Sequence, residues 1–344
     1  MLNPAKDNRF RRTCRVAALL CVMLSGCVAS FAQQSDTFEH ALCLFKRRQF
    51  SEAAKAFAVV TANDPARTEA QLYLAKSLIN TERYVEAEAT LRRYTQAAPA
   101  SHDGHYLRAY TLFRQGRAAE SLKTYEHAAS LNAPDSDDLK IIGLNYALLG
   151  DYDRSASYLK QSLAVNPANT EALYYFGRAR FTQNLFAEAF DAFNEVLRRD
   201  PRHVRAQNNL GQVLEARNDV DGAMAAYRRA IEHDAASLKP SELPLLNLGA
   251  LLLEKNEIEE ALSLLTRASM ANPSSAKVRF YLGKVYLRLG RLTDAEREFL
   301  QATKIDPRDV GAHYQLGRLY HRLGKRELAR QVLSVSERLR AKTN

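Results

Sequence analysis

The sequence predicts an all-α chain of stacked helical hairpins, and three observations predict it. Small residues recur every 34 positions: Ala41, Ala75, Ala109, Gly143, Gly177 and Gly211, then, after a slip of four residues, Gly249, Gly283 and Gly317. Twelve positions after each comes a second small residue (Ala53, Ala87, Ser121, Ser155, Ala189, Ala223, Ala261, Ala295, Ala329). Four further on comes a large apolar one (Phe57, Leu91, Tyr125, Leu159, Phe193, Tyr227, Leu265, Phe299, Leu333). No period-two alternation of any length occurs, so no sheet is expected. Small residues at fixed spacing on two helices let the backbones approach, and the large residue fills the gap beside them. Nine such copies describe a solenoid, in which each unit contacts its neighbours and function lies along a face.

Taken in order, the chain opens with an export signal. A basic stretch ends at Arg15, and Val16 to Leu24 is apolar apart from Cys21, too short to span a bilayer. Two cleavage readings stay open. Leu24-Ser25-Gly26-Cys27 is similar to the bacterial lipobox, which would place a lipid on Cys27. Ser30-Phe31-Ala32 before Gln33 is a small-x-small site for ordinary processing. The expected organisation is therefore residues 1–26 as signal peptide (1–32 in the alternative) and 27–33 as tether. Repeats one to six follow over 34–237, an inserted loop over 238–241, and repeats seven to nine over 242–343.

The eighth repeat shows why each unit folds as a hairpin. Phe280, Tyr281, Leu282, Val285, Tyr286 and Leu289 recur at three- and four-residue steps, a helical period. Gly290 sits where a left-handed C-cap belongs. Thr293, with Glu296 three residues on, reads as a capping box opening the second helix. Asp306-Pro307 closes it, because the residue before proline is pushed out of the helical region. The insert lies within Leu238 to Pro244 and reads as a longer loop, with Pro244 tolerated in a first helical turn; a hinge is the alternative.

Leu282-Gly283, Tyr286, Gly290, Ala295, Phe299, Ala302 and Pro307 resemble the tetratricopeptide repeat, as do Leu316-Gly317, Tyr320, Gly324 and Ala329. The closing proline recurs as Pro65, Pro99, Pro167, Pro201, Pro273 and Pro307; Ala133 and Ala235 replace two others, and the family's early Trp is absent. The resemblance covers residues 34–343. It implies a right-handed superhelical solenoid of about nine repeats, with the first helix of each (helix A) lining a groove and the second (helix B) outside.

Charge is uneven. Residues 27–241 balance 26 basic against 26 acidic side chains, whereas residues 242–344 carry 18 basic and 12 acidic, and 1–26 carry five and one. A basic end suits an acidic protein, a polyanion or an anionic membrane surface. No nucleic-acid motif appears. Cys14 and Cys21 leave with the signal, so no disulfide framework remains, and Cys43 is expected to be a small packed residue. His102-Asp103-Gly104-His105 is the densest His/Asp cluster. It lacks a third ligand and suits a polar first turn, so no metal and no cofactor is predicted. No catalytic or phosphate-loop motif occurs, and the protein is read as a non-enzyme.

By resemblance, repeat positions two, five, six, nine, twelve and thirteen face the groove. Candidate ligand contacts are Tyr110, Tyr175, Arg178, Asn209, Asn247, Lys277, Lys284 and Arg318. Asparagine at position six is used in the family to hold an extended peptide, and it offers a donor and an acceptor together. About half of the groove aromatics (Tyr106, Tyr110, Phe113, Tyr174, Tyr175, Phe181) are expected to pack between repeats instead. The full Lys and Asn set of a carboxylate clamp is absent. The expected function is an exported, non-enzymatic scaffold binding a peptide segment or partner protein with an acidic portion. If lipidated at Cys27 it would be membrane-tethered, resembling envelope repeat lipoproteins that support pilus, secretion or outer-membrane assembly. The alternatives are a carrier for an envelope polysaccharide, which open aromatic faces in a row would favour, and a regulatory subunit of an envelope enzyme.

Overall fold

The computed structural model describes residues 37–342. The signal, the tether, Cys14, Cys21 and Cys27 lie outside them. Among the described residues there are 18 helices and no strand, and the chain divides into two compact units at the boundary between the fourth and fifth repeats, 169/170.

The first unit holds α1 (37–46), α2 (Phe50–Asn63), α3 (Thr68–Asn80), α4 (Tyr84–Ala97), α5 (His102–Arg114), α6 (Ala118–Leu131), α7 (Ser136–Leu148) and α8 (Tyr152–Val165). The second holds α9 (Thr170–Thr182), α10 (Phe186–Arg199), α11 (Val204–Ala216), α12 (Val220–Asp234), α13 (Glu242–Glu254), α14 (Ile258–Ala271), α15 (Ala276–Arg288), α16 (Leu292–Ile305), α17 (Val310–Arg322) and α18 (Arg326–Ala341). Odd-numbered helices are helix A of a repeat and even-numbered ones helix B. Within each unit, A helices of consecutive repeats approach more closely than B helices do, so the A helices form the inner, concave side.

The 34-residue pattern is the packing pattern. A Cβ on Gly211 would stand 2.4 Å from the Tyr227 ring, and one on Gly249 2.8 Å from Leu265. The small residue of helix A thus faces the large residue of helix B in its own repeat. Those large residues are almost all fully buried, Tyr125, Phe193 and Phe299 among them. Within each hairpin, the turn after helix A holds a residue at positive φ: Gly116, Gly150, Gly290 and Gly324, Asn184, Asn218 and Asn256, and also Arg48 and Glu82. Glycine and asparagine enter the left-handed region cheaply; arginine and glutamate do not.

Two local expectations, the capping box of α16 and a packed Cys43, resolve differently. The N-cap of α16 is Arg291, without a side-chain capping bond, and Thr293 lies inside the helix. Glu296 reaches forward to Lys325 Nζ at 2.7 Å instead, so no capping box forms. Cys43 is exposed, because its helix position points away from the α1–α2 contact made by Ala41. His102 and His105 do not converge: His102 lies 3.1 Å from Asp103, while buried His105 meets the Pro99 carbonyl at 3.0 Å. The same bond recurs between His313 and the Pro307 carbonyl, and Gln71 donates likewise to Pro65. The proline that ends one repeat is thereby tied to the next helix A.

The insert is a loop after α12, and Pro244 is buried in the first turn of α13. Helices α12 and α13 share one core, in which Met224 and Tyr227 pack with Leu245, Leu246 and Leu252.

Candidate binding face

Seven of the eight groove candidates belong to the second unit, and they lie on its A helices. Tyr110 belongs to the first unit, where it is half-buried and its hydroxyl accepts from Arg114 at 2.7 Å. Among the groove aromatics, Tyr106 and Tyr174 are buried, while Phe113 and Tyr175 keep partial exposure.

The second unit's face begins at α9. Arg178 is exposed and stands over the half-buried Tyr175 ring at 5.8 Å. Tyr174 points inward beneath it, with Arg205 of α11 over its ring at 4.9 Å. Next comes a chain of amides. Asn247 Nδ2 of α13 donates to Asn208 Oδ1 at 3.0 Å, Asn208 Nδ2 donates to Asn209 Oδ1 at 3.3 Å, and Asn209 Nδ2 donates to Tyr174 Oη at 3.3 Å. Three consecutive A helices are joined by one polar line. Asn209 and Asn247 are therefore members of a network and not isolated clamps. Asn208 is its buried centre, which the sequence reading passed over. It occupies position five of the expected groove stripe, yet its neighbour at position six carried the family pattern. A cleft of about 440 Å³ runs beside this line, bounded by Arg178, Asn209, Gln212 and Leu243.

Each Asn amide has two N–H donors and an oxygen with two lone pairs. One N–H of Asn209 and one of Asn247 stay unused within the network, as does Asn247 Oδ1. Further along, Glu215 at the end of α11 accepts a hydrogen bond from the Tyr227 hydroxyl. That burial of its environment, with Glu254 nearby, holds the Glu215 carboxyl above its ordinary range.

The last two A helices are purely basic. Neither α15 nor α17 contains an aspartate or glutamate. Lys277 is exposed in the first turn of α15, and Lys284 lies 5.0 Å from the Tyr281 ring centre. Arg318 stands over Tyr314 at 5.8 Å. Lys284 and Arg318 line one cleft of about 580 Å³, and with them come Arg288, Arg322, His321 and Gln315, which were not singled out before. Their signal was present in the sequence, since Arg288 and Arg322 occupy position thirteen of the stripe.

Architecture and face together define a repeat-built binding protein. Tetratricopeptide repeat profiles match residues 44–110, 102–135, 142–201, 191–239, 246–310 and 298–331, and the chain belongs to that family. It is similar to BBSome complex member BBS4 of Bos taurus, 26% identical over 157 residues that make up 45% of this chain and 29% of that protein. It thus spans about a third of that relative's length. Among solved structures it resembles a tetratricopeptide repeat protein from Parabacteroides merdae (TM-score 0.59, 18% identity, 78% of this chain and 98% of that one). It also resembles the APC/C hetero-tetramer Cut9-Hcn1 (TM-score 0.61, 15% identity, 81% and 54%). These likenesses speak to fold.

Proposed function

We propose that this chain is a non-enzymatic scaffold of the cell envelope that holds an extended segment of a partner protein on the inner face of its second unit. The observation that carries the binding reading is the amide line from Asn247 through Asn208 and Asn209 to Tyr174. It spans three repeats, as an extended peptide would, and it leaves unused amide donors and an acceptor for peptide groups. Arg178 and Tyr175 flank one end, and Lys277, Lys284 and Arg318 flank the other, which sets the ligand's acidic portion toward α15 and α17.

The ring packing favours peptide over polysaccharide. Sugar binding calls for open aromatic faces in a row, whereas Tyr174 is buried and Tyr281 packs edge-on against Phe280 with Lys284 above it. Export rests on Arg15, the apolar run to Leu24, and either Cys27 or Ala32 as the processing point. A lipid on Cys27 would tether the scaffold to a membrane, where pilus, secretion or outer-membrane assembly are the roles that fit it.

The test is site-specific photo-crosslinking in intact cells, with the reactive group at Gln212 on the inner face or at Arg229 on the outer one. Capture and mapping of one extended segment from Gln212 alone is expected. Capture from Arg229 alone would move the site to the outer surface.

A further inference from the structure

Many arginines of this protein have a carboxylate at hand. Arg83, Arg117, Arg154, Arg198, Arg291 and Arg330 all pair within their own helix start or turn. The cleft between α15 and α17 instead gathers several cations without such a partner around one concavity. Lys284 and Arg288 sit four residues apart on α15, and Arg318 and Arg322 four apart on α17, with His321 beside them. None of the four permanent cations has an ion-pair partner among the described residues. On α15 the pairing arginine is Arg279, which reaches Glu298 at 3.0 Å on the other side of the helix.

Like charges at i, i+4 destabilise a helix, and here two such pairs face one another. A carboxylate at any of the surrounding positions would relieve them, and both helices exclude it. Four unpaired cations around one concavity focus a positive potential that falls off only over about a Debye length, roughly 8–10 Å.

We propose that this cleft is a seat for clustered carboxylates: a run of aspartate or glutamate side chains in the bound partner segment, with at least two carboxylates engaged at once. The proposal rests on the groove reading and specifies the part of the ligand that lies beyond the amide line. Guanidinium forks at Arg288, Arg318 and Arg322 match carboxylates bidentately, and Lys284 adds a point charge. One carboxylate would leave three cations repelling one another. A clustered run satisfies all four, and the amide line beside it makes the carrier of those charges a polypeptide. The cleft thereby gives the groove a direction, since the larger cluster of cations, and with it the acidic end of the segment, lies at α15 and α17.

The test uses the full mature chain and a fluorescein-labelled oligoglutamate peptide, read by anisotropy against salt, with oligoglutamine as the uncharged control. Oligoglutamate should bind, and Arg288→Glu/Arg322→Glu should weaken it by about tenfold or more and flatten the salt dependence. Arg267→Glu/Lys304→Glu, the same charge change on B helices, should leave binding within about twofold. Arg322→Gln should weaken binding yet raise the melting temperature slightly, an outcome that a merely structural arginine would not give. Equal oligoglutamate binding by wild type and Arg288→Glu/Arg322→Glu overturns the proposal. So does tighter binding of polygalacturonate or inorganic phosphate than of oligoglutamate, which would assign the seat to a polysaccharide or a phosphate. If the crosslinked partner is lost on Asn209→Ala/Asn247→Ala but kept on Arg288→Glu/Arg322→Glu, the seat fails while the groove reading stands.

Discussion

Gly283 of α15 and Phe299 of α16 meet so closely that a Cβ on the glycine would lie 2.6 Å from the phenylalanine ring, itself fully buried. In the eighth repeat the phenylalanine ring fills the space that a side chain at that position would take. Gly283→Leu should therefore overpack the hairpin and lower stability by about 1–3 kcal/mol. A urea titration followed by circular dichroism checks this. An unchanged midpoint would mean that the glycine does not face its own helix B.

Glu82 and Gly116 hold the same place in successive repeats, with φ of 59° and 74°. Nothing lies within 4 Å of a Cβ added to Gly116, so any cost there is purely backbone. Gly116→Ala should lose about 1 kcal/mol, since a left-handed conformation costs an L-residue about 1–2 kcal/mol. Glu82→Gly should gain up to about 1 kcal/mol, reduced by the loss of its long, exposed contact with Arg114 at 3.7 Å. Opposite signs in the two melting curves are the expected result; the same sign in both would refute the backbone account.

These positions also show what a sequence alone can carry. The small-to-large register was legible because a hairpin closes only around such pairs, so the residues that pack are the residues that repeat. Arg48 and Glu82 were not legible as left-handed, because their side chains resemble any other surface residue. The binding face divides similarly. Positions two to thirteen of helix A were readable by analogy, yet Asn208 was missed. Its role depends on Asn247, 39 positions away across the insert. Thr293 and Glu296 had the letters of a capping box, but an ion pair to Lys325, 29 residues on, took the glutamate instead.

Export is checked by the mature terminus. Mass spectrometry of the protein purified from its own cells should find a lipid-modified Cys27 or an N-terminal Gln33. Recovery of intact Met1 would exclude both processing routes and with them the envelope setting.

On the inner face, Asn209→Ala removes the donor to Tyr174 Oη and Asn247→Ala the donor to Asn208. Each should cost about 1–3 kcal/mol of partner binding if its amide also satisfies a desolvated peptide group. Titration calorimetry with the segment identified by crosslinking measures this. Equal affinities for wild type and both variants would show that the amide line is only structural.

The first unit carries a pH-dependent weakness at the start of α7. Asp138 completes a capping box with Asp135: its own N–H donates to Asp135 Oδ1 at 2.8 Å, and its Oδ2 accepts from the Asp135 N–H at 3.4 Å. Burial, reinforced by the charges of Asp135 and Asp137, pushes the Asp138 carboxyl up to about 7 from an ordinary 3.8. The Tyr106 and Tyr125 hydroxyls also feel this carboxyl, and Lys140 pairs with Asp137 at 2.8 Å. A raised acid means that the folded state holds the proton more tightly than the unfolded chain does. Its stabilising contribution is complete below the unfolded value and is lost as the pH climbs from about 4 through about 7. Asp138→Asn keeps an oxygen that can accept from Asp135 and removes the charge. The variant should match the wild type near pH 4 and exceed it by about 1 kcal/mol at pH 8, the partial exposure of the carboxyl holding the gain below the full linkage. Urea midpoints of both proteins measured across that range decide the matter, because their difference cancels every other titrating group. A difference that stays flat with pH would show that Asp138 is an ordinary surface carboxylate.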